Sequence, residues 1–95
     1  MTKVTEKEMA FLTQVSKSEF AEWVNDGEGW VGDWVCCTDY DMKVARGLMS
    51  SLEQKKVVII GSHEKGFQGQ DMTWVSVYSN YCDFNDYCLT GLEVV

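Results

Sequence analysis

Five cations, Lys43, Arg46, Lys55, Lys56 and Lys65, fall within residues 41–66, and the chain on either side of that window is acidic. Residues 1–40 hold eight acidic and three basic side chains, net −5, while 41–66 hold five basic and three acidic, net +2. Residues 67–95 add four acidic side chains and no basic one, which brings the formal charge to −7. Lysine and arginine in such a cluster neutralise phosphates or donate to guanine edges. A polyphosphate repels an acidic chain at long range, although a local basic face can still dock. A solvated helix face has the same composition, and Lys55-Lys56 suits the dipole at a helix C-terminus by itself.

No other residue set points to catalysis or to a bound group. His63 is the single histidine; it falls in a glycine-containing turn, and a Cys-His pair would need an activated thiolate that nothing in the sequence provides. Asp39 and Asp41 read as helix-capping residues rather than as an acid-base pair. Cys36, Cys37, Cys82 and Cys88 read as free buried thiols. Adjacent cysteines in a strand face opposite ways, and neither that pair nor Cys82-x5-Cys88 has the short loop that chelates zinc. Gly27-x-Gly29-x-x-Gly32 has the spacing of a dinucleotide fingerprint, but a helix precedes it and a strand-like run follows. Asp26 and Glu28 also stand where phosphate would sit, so residues 25–32 read as a turn. The expectation is therefore no catalytic residue, no cofactor and no metal.

The elements that would position the cations follow from pattern. At 95 residues, with 45% hydrophobic content, the chain is sized for one domain over 1–95 with one core. Thr5-Glu6-Lys7-Glu8 is a capping box that starts a helix near Glu6. Met9, Phe11, Leu12, Val15, Phe20, Trp23 and Val24 carry its apolar stripe to Trp23 or Val24, before Asn25-Asp26-Gly27 ends it. Asp33–Cys37 reads as a brief strand. Thr38 or Asp39 then caps a central helix whose inner face is Met42, Ala45, Leu48, Met49 and Leu52. Its outer face is Lys43, Arg46, Gly47, Ser50 and Gln54. Gly47 costs about 1 kcal/mol relative to alanine inside a helix, which calls for close approach of a neighbouring helix or of a ligand backbone. Val57–Ile60 is a strand apolar on both faces, or one with a covered outer face. Residues 61–70 form a turn, and 72–79 alternate with Trp74, Ser76 and Tyr78 on one face and Thr73, Val75 and Val77 on the other. The acidic aromatic segment 81–95 adds either a short helix or an edge strand.

This order, with the phrase VARGLMSSLEQKKVVII at residues 44–60, resembles the winged helix-turn-helix superfamily, closest to its small phage and bacterial proteins. There the recognition helix ends in a SLxxKGLV-like phrase and feeds the first wing strand. The chain has Lys56 where the family has glycine, and a glycine-rich, strand-like stretch where the family has a further helix, unless that helix lies in Phe20–Asn25. The resemblance implies an α+β fold, a small winged helix-turn-helix domain with helices packed on a short antiparallel sheet and a β-hairpin wing at about 57–80. It also implies a nucleic-acid interface with Lys43, Arg46 and Ser50 in a major groove, Lys55 and Lys56 flanking the duplex, and His63, Lys65 and Gln68 in the wing.

Two functions are then expected. One is a DNA-binding transcriptional regulator whose partner is double-stranded DNA, with a phage origin implied by the resemblance to small phage proteins. The other is an acidic adaptor or inhibitor that engages a host protein, favoured by Tyr81, Phe84 and Tyr87 if they are exposed, although burial in the core is the commoner fate of such side chains. A homodimer is left open. No window is long and apolar enough to span a bilayer, and the N-terminus lacks a signal-peptide run, so the expectation is a cytoplasmic protein without membrane contact.

Overall fold

In the computed structural model, which describes residues 1–63 and 72–95, Thr5 and Glu8 make the capping box that their spacing predicts. The Thr5 hydroxyl accepts from the Glu8 amide at 3.0 Å, and Glu8 Oε1 accepts from the Thr5 amide at 2.8 Å. The first helix, α1 (Glu6–Lys17), follows and buries Phe11, Leu12 and Val15. It stops well before Trp23. Ser18 leaves the helical region, and the chain turns into a short strand, β2 (Glu22–Val24). Phe20, whose spacing matched the helical stripe, is 62% exposed. Trp23 does face the helix, because its indole donates to the Ser16 carbonyl at 3.2 Å and so satisfies one of the end carbonyls the helix leaves unpaired. A three-to-four-residue spacing carried through a turn thus mimicked a longer helix. Residues 20–25 do not contain one.

The next strand, β3 (Trp30–Trp34), begins three residues before the expected one, and the chain after it tightens into a 3-10 turn at Val35–Cys37. Thr38 closes that turn by donating its hydroxyl to the Val35 carbonyl at 2.7 Å, and the Asp39 amide donates to Gln14 at 3.0 Å. The second helix, α2 (Met42–Gln54), begins later than either residue could cap it, and its cap is Asp41, which accepts from the Lys43 amide at 2.8 Å. The inner face is as expected: Ala45, Met49 and Leu52 are buried, with Met42 and Leu48 packed beside them.

The C-terminus of α2 closes as a Schellman motif. Val57 donates to Leu52 and Lys56 to Glu53, each at 3.0 Å, with Lys56 at φ 60°. This left-handed position is where glycine is usual. Val57 is buried and β4 (Val58–His63) begins at once. With β5 (Met72–Tyr78) it forms an antiparallel hairpin in which Val58 pairs Val77 and Ile60 pairs Val75. The sheet order is β2-β3-β5-β4, antiparallel throughout. Val31, Val58, Val75 and Val77 point to one side, where α1 packs on β3 and α2 on β4, and all four are essentially inaccessible. Each such side chain stabilises the fold by about 1.5–3 kcal/mol.

The C-terminal segment resolves into strands. A small hairpin, β6 (Cys82–Asp83) and β7 (Cys88–Leu89), leads to β8 (Leu92–Val94), which pairs in parallel with β1 (Thr2–Val4). Tyr81 is buried and shares a 2.6 Å hydrogen bond with Thr2, so it belongs to the core rather than to the surface. Among the described residues, no helix is long and apolar enough to cross a membrane.

Candidate functional site

The expected basic residues do not form one surface. Lys43, Arg46 and Ser50 are exposed along the outer side of α2. Arg46 and Ser50 share a groove of about 210 Å³ with Met42, Met49, Glu53 and Ile60, so an acidic side chain stands beside them. Lys55 points the other way. Its ammonium lies 2.6 Å from Oε1 of Glu8, a carboxylate only 2% exposed. Burial pushes the Glu8 pKa up, but the hydrogen bonds from Lys55 and Thr5 outweigh it and hold the group below its ordinary 4.5. Lys55 is therefore a structural cation that ties the end of α2 to the start of α1. Lys56 is exposed at the helix cap, His63 ends β4, and Lys65 and Gln68 lie outside the described residues. A side chain at Gly47 would meet nothing within 4 Å. No neighbouring helix approaches there.

The cysteines also differ from expectation. Only Cys82 is buried, while Cys36, Cys37 and Cys88 are exposed. The pair sits on the 3-10 turn instead of in a strand, which takes it off the sheet's inner face. Although Cys37 is exposed as a residue, desolvation of its sulfur, then the neighbouring Asp33 carboxylate and Cys36, push its thiol up to about 11. A thiol so placed is a weak nucleophile at neutral pH. Among the described residues no group of three histidine, cysteine or acidic side chains could hold a metal ion.

A different surface is better built. The side of the sheet away from the helices carries Trp30, Gly32 and Trp34 from β3, Trp74, Ser76 and Tyr78 from β5, and Ile59 from β4, as the pairing register requires. Trp74 lies across Gly32, where an added Cβ would be 2.8 Å from the indole nitrogen. Only glycine lets the ring come that close. Trp30 and Trp34 meet Trp74 edge to face, at 5.7 Å and 4.9 Å between centroids, in the arrangement that aromatic quadrupoles favour. The Trp74 N–H donates to the Ser76 hydroxyl at 2.7 Å. Ile59 is 50% and Tyr78 38% exposed, and the three tryptophans are half-buried. Among the described residues no helix or strand lies over the outer face of β4 at Ile59.

Beside this aromatic row runs a groove of about 640 Å³ between the β2–β3 turn and β5, lined by Asp26 and Glu28 of the turn and by Trp30, Ile59 and Tyr78 of the strands. Two contacts set the turn. Gly27 has φ 98°, and a Cβ on Gly29 would be 2.7 Å from the Phe84 ring and 2.8 Å from the Val24 carbonyl. Phe84 is in turn held edge to face against Trp23, as is the 63%-exposed Tyr87. Residues 22–34, 58–61 and 72–79 contain no lysine or arginine. The open face is thus aromatic at its centre and acidic at its rim.

Half of this surface was visible in the chain, since Trp74, Ser76 and Tyr78 share a face by simple alternation. Trp30-x-Gly32-x-Trp34 has the same two-residue period, but assigning residues 25–32 to a loop hid it. No family model matches the chain, and neither curated proteins nor solved structures give a match to it.

Proposed function

We propose that the protein is a non-catalytic interaction module whose open sheet face docks the cationic surface of a partner protein. The observation that carries this reading is the row of three tryptophans with Ile59 and Tyr78, left uncovered by the helices and rimmed by Asp26 and Glu28, with no lysine or arginine on the described strands and turn around them. Contiguous exposed apolar side chains mark interaction sites, and aromatic side chains are common anchors of protein interfaces. The formal charge of −7 adds long-range attraction for a basic partner. An acidic adaptor or inhibitor of a nucleic-acid-binding host protein fits this chemistry, because its carboxylates would stand where phosphates otherwise bind.

The second reading is a winged-helix DNA-binding regulator. It is favoured by the exposed row Lys43, Arg46 and Ser50, with open space over Gly47 that would admit a backbone. We rank it lower. Lys55 is committed to Glu8, Glu53 shares the groove of Arg46, and β2 and β3 occupy the stretch where the winged-helix family has its further helix.

One pair of titrations separates them. Amide and indole NMR signals are followed against an oligolysine peptide and against a labelled generic duplex, at low salt and at about 150 mM salt. The first reading expects salt-sensitive peptide shifts on β3, β5 and the turn between β2 and β3, with no duplex binding. Duplex binding that disappears in a Lys43→Ala, Arg46→Ala double variant would replace it with the second.

A further inference from the structure

We infer that the groove between the β2–β3 turn and β5 is a binding site for a single arginine side chain of the partner, and this rests on the interaction-module reading above. Its lining offers both of the things a guanidinium binds. Trp30 and Tyr78 are direct cross-strand partners and so lie on the same open face. They line the groove together with Ile59. A planar, weakly hydrated guanidinium stacks on such rings, while a compact ammonium keeps its water. Asp26 and Glu28 also line the groove, and their carboxylates are acceptors that the N–H fork of arginine satisfies better than the point charge of lysine.

The site is held ready before any ligand arrives. Gly29 is pressed between Phe84 and the Val24 carbonyl, which fixes the backbone that carries both carboxylates. The Ser76 hydroxyl is already occupied by Trp74, and Trp74 braces Trp30 from its edge. Neither carboxylate has an ion-pair partner among the described residues, and no lysine or arginine lies on the strands around them. Two exposed like charges two residues apart, in a groove lined also by aromatic rings and by no cation among the described residues, are complementary to a cation supplied from outside. At about 640 Å³ the groove has room for an arginine side chain together with its flanking backbone.

The full-length protein is titrated with N-acetyl-arginine methylamide and, separately, N-acetyl-lysine methylamide, at low salt, with the Trp30 indole and the amides of residues 26–29 as reporters. The arginine probe should saturate these signals and bind about 3- to 5-fold more tightly than the lysine probe, the ratio expected of an exposed stacking contact. Asp26→Asn with Glu28→Gln should weaken both probes by about 10-fold or more. Trp30→Leu should bring the arginine probe down to the lysine level while leaving the lysine probe almost unchanged. Equal affinity for the two probes overturns the arginine assignment and leaves the cationic-partner reading standing. Failure of both probes and of oligolysine on this face overturns both. Arginine shifts that survive neutralisation of Asp26 and Glu28 overturn the assignment of the groove.

Discussion

The two faces of the four-stranded sheet are both apolar, and they are apolar in different ways. Toward the helices stand Val31, Val58, Val75 and Val77, each no more than 1% exposed. Away from them stand Trp30, Trp34, Trp74, Tyr78 and Ile59, all partly open to water. β-Branched aliphatics interlock with helix side chains at close-packed density. Aromatics with a polar edge tolerate half-burial, and Trp74 meets that requirement by donating to Ser76. The closed face therefore carries the stability and the open face is free to carry recognition. That division makes quantitative claims about single residues.

The largest effect belongs to a matched pair of truncations. Val77→Ala removes two buried methyl-sized groups and leaves a cavity between Val31 and Val58, for a loss of about 2 kcal/mol. Ile59→Ala, one strand away on the open face, deletes more carbon but should cost well under about 1 kcal/mol, because half of that side chain is already in water. Urea unfolding of both variants checks the contrast. Equal losses would mean that the outer face is packed after all.

Next in size is the buried carboxylate on the closed side. Lys55→Met strands Glu8 without its partner, at a cost of about 2 kcal/mol, below the usual penalty for a broken buried pair because Lys55 is itself one-third exposed. The sign with pH follows from the depressed Glu8 pKa. In the native protein this group stabilises the fold above the ordinary 4.5 and loses that contribution as pH falls through the lower folded value. Without Lys55 desolvation dominates and raises the Glu8 pKa, so acid relieves the variant. Its deficit should be largest near about pH 7 and shrink toward about pH 3. A deficit independent of pH would show that Lys55 acts through its methylenes alone.

On the open face, Gly32→Ala drives a Cβ into the Trp74 indole. The ring must lift and lose its bond to Ser76, costing about 1–2 kcal/mol. Near-ultraviolet circular dichroism should lose the tryptophan coupling while the helical far-ultraviolet signal stays. Retained coupling would mean that the row is less tightly seated than its distances indicate.

What the chain discloses divides along the same line. Thr5 and Glu8, the inner stripe of α2 and the alternation of β5 depend on neighbours within a few residues, and they are legible. Where α1 stops is not, because Phe20 and Trp23 keep a helical spacing while Trp23 is drawn into a strand by pairing with Val31, eight residues later. The cap of α2 lies at Asp41 rather than Thr38 or Asp39, because Thr38 closes the 3-10 turn on Val35 and the Asp39 backbone is tied to the distant Gln14 before the helix begins. Lys55 looked like a surface cation since nothing local reveals Glu8, 47 residues away, as its partner. Tertiary partners decide these cases, and the aromatic face is one of them: alternation shows which residues share a side, not which side the helices cover.

The smallest expected effect lies at Lys56, where the closed side and the basic residues meet. A lysine at φ 60° is strained by about 1–2 kcal/mol, which glycine would relieve. Glycine also makes the unfolded chain more flexible, which takes back about 0.5–1 kcal/mol. Lys56→Gly should accordingly stabilise the fold by about 0.5 kcal/mol, with the Schellman bonds from Lys56 and Val57 retained by whatever occupies position 56. Urea midpoints measure the gain, and oligolysine and duplex titrations of the same variant ask what the side chain does. If Lys56 serves neither interface, stability rises and both titrations stay put. If duplex binding instead falls while stability rises, the strained lysine is kept for its charge, and recognition would then extend to the helix side of the molecule.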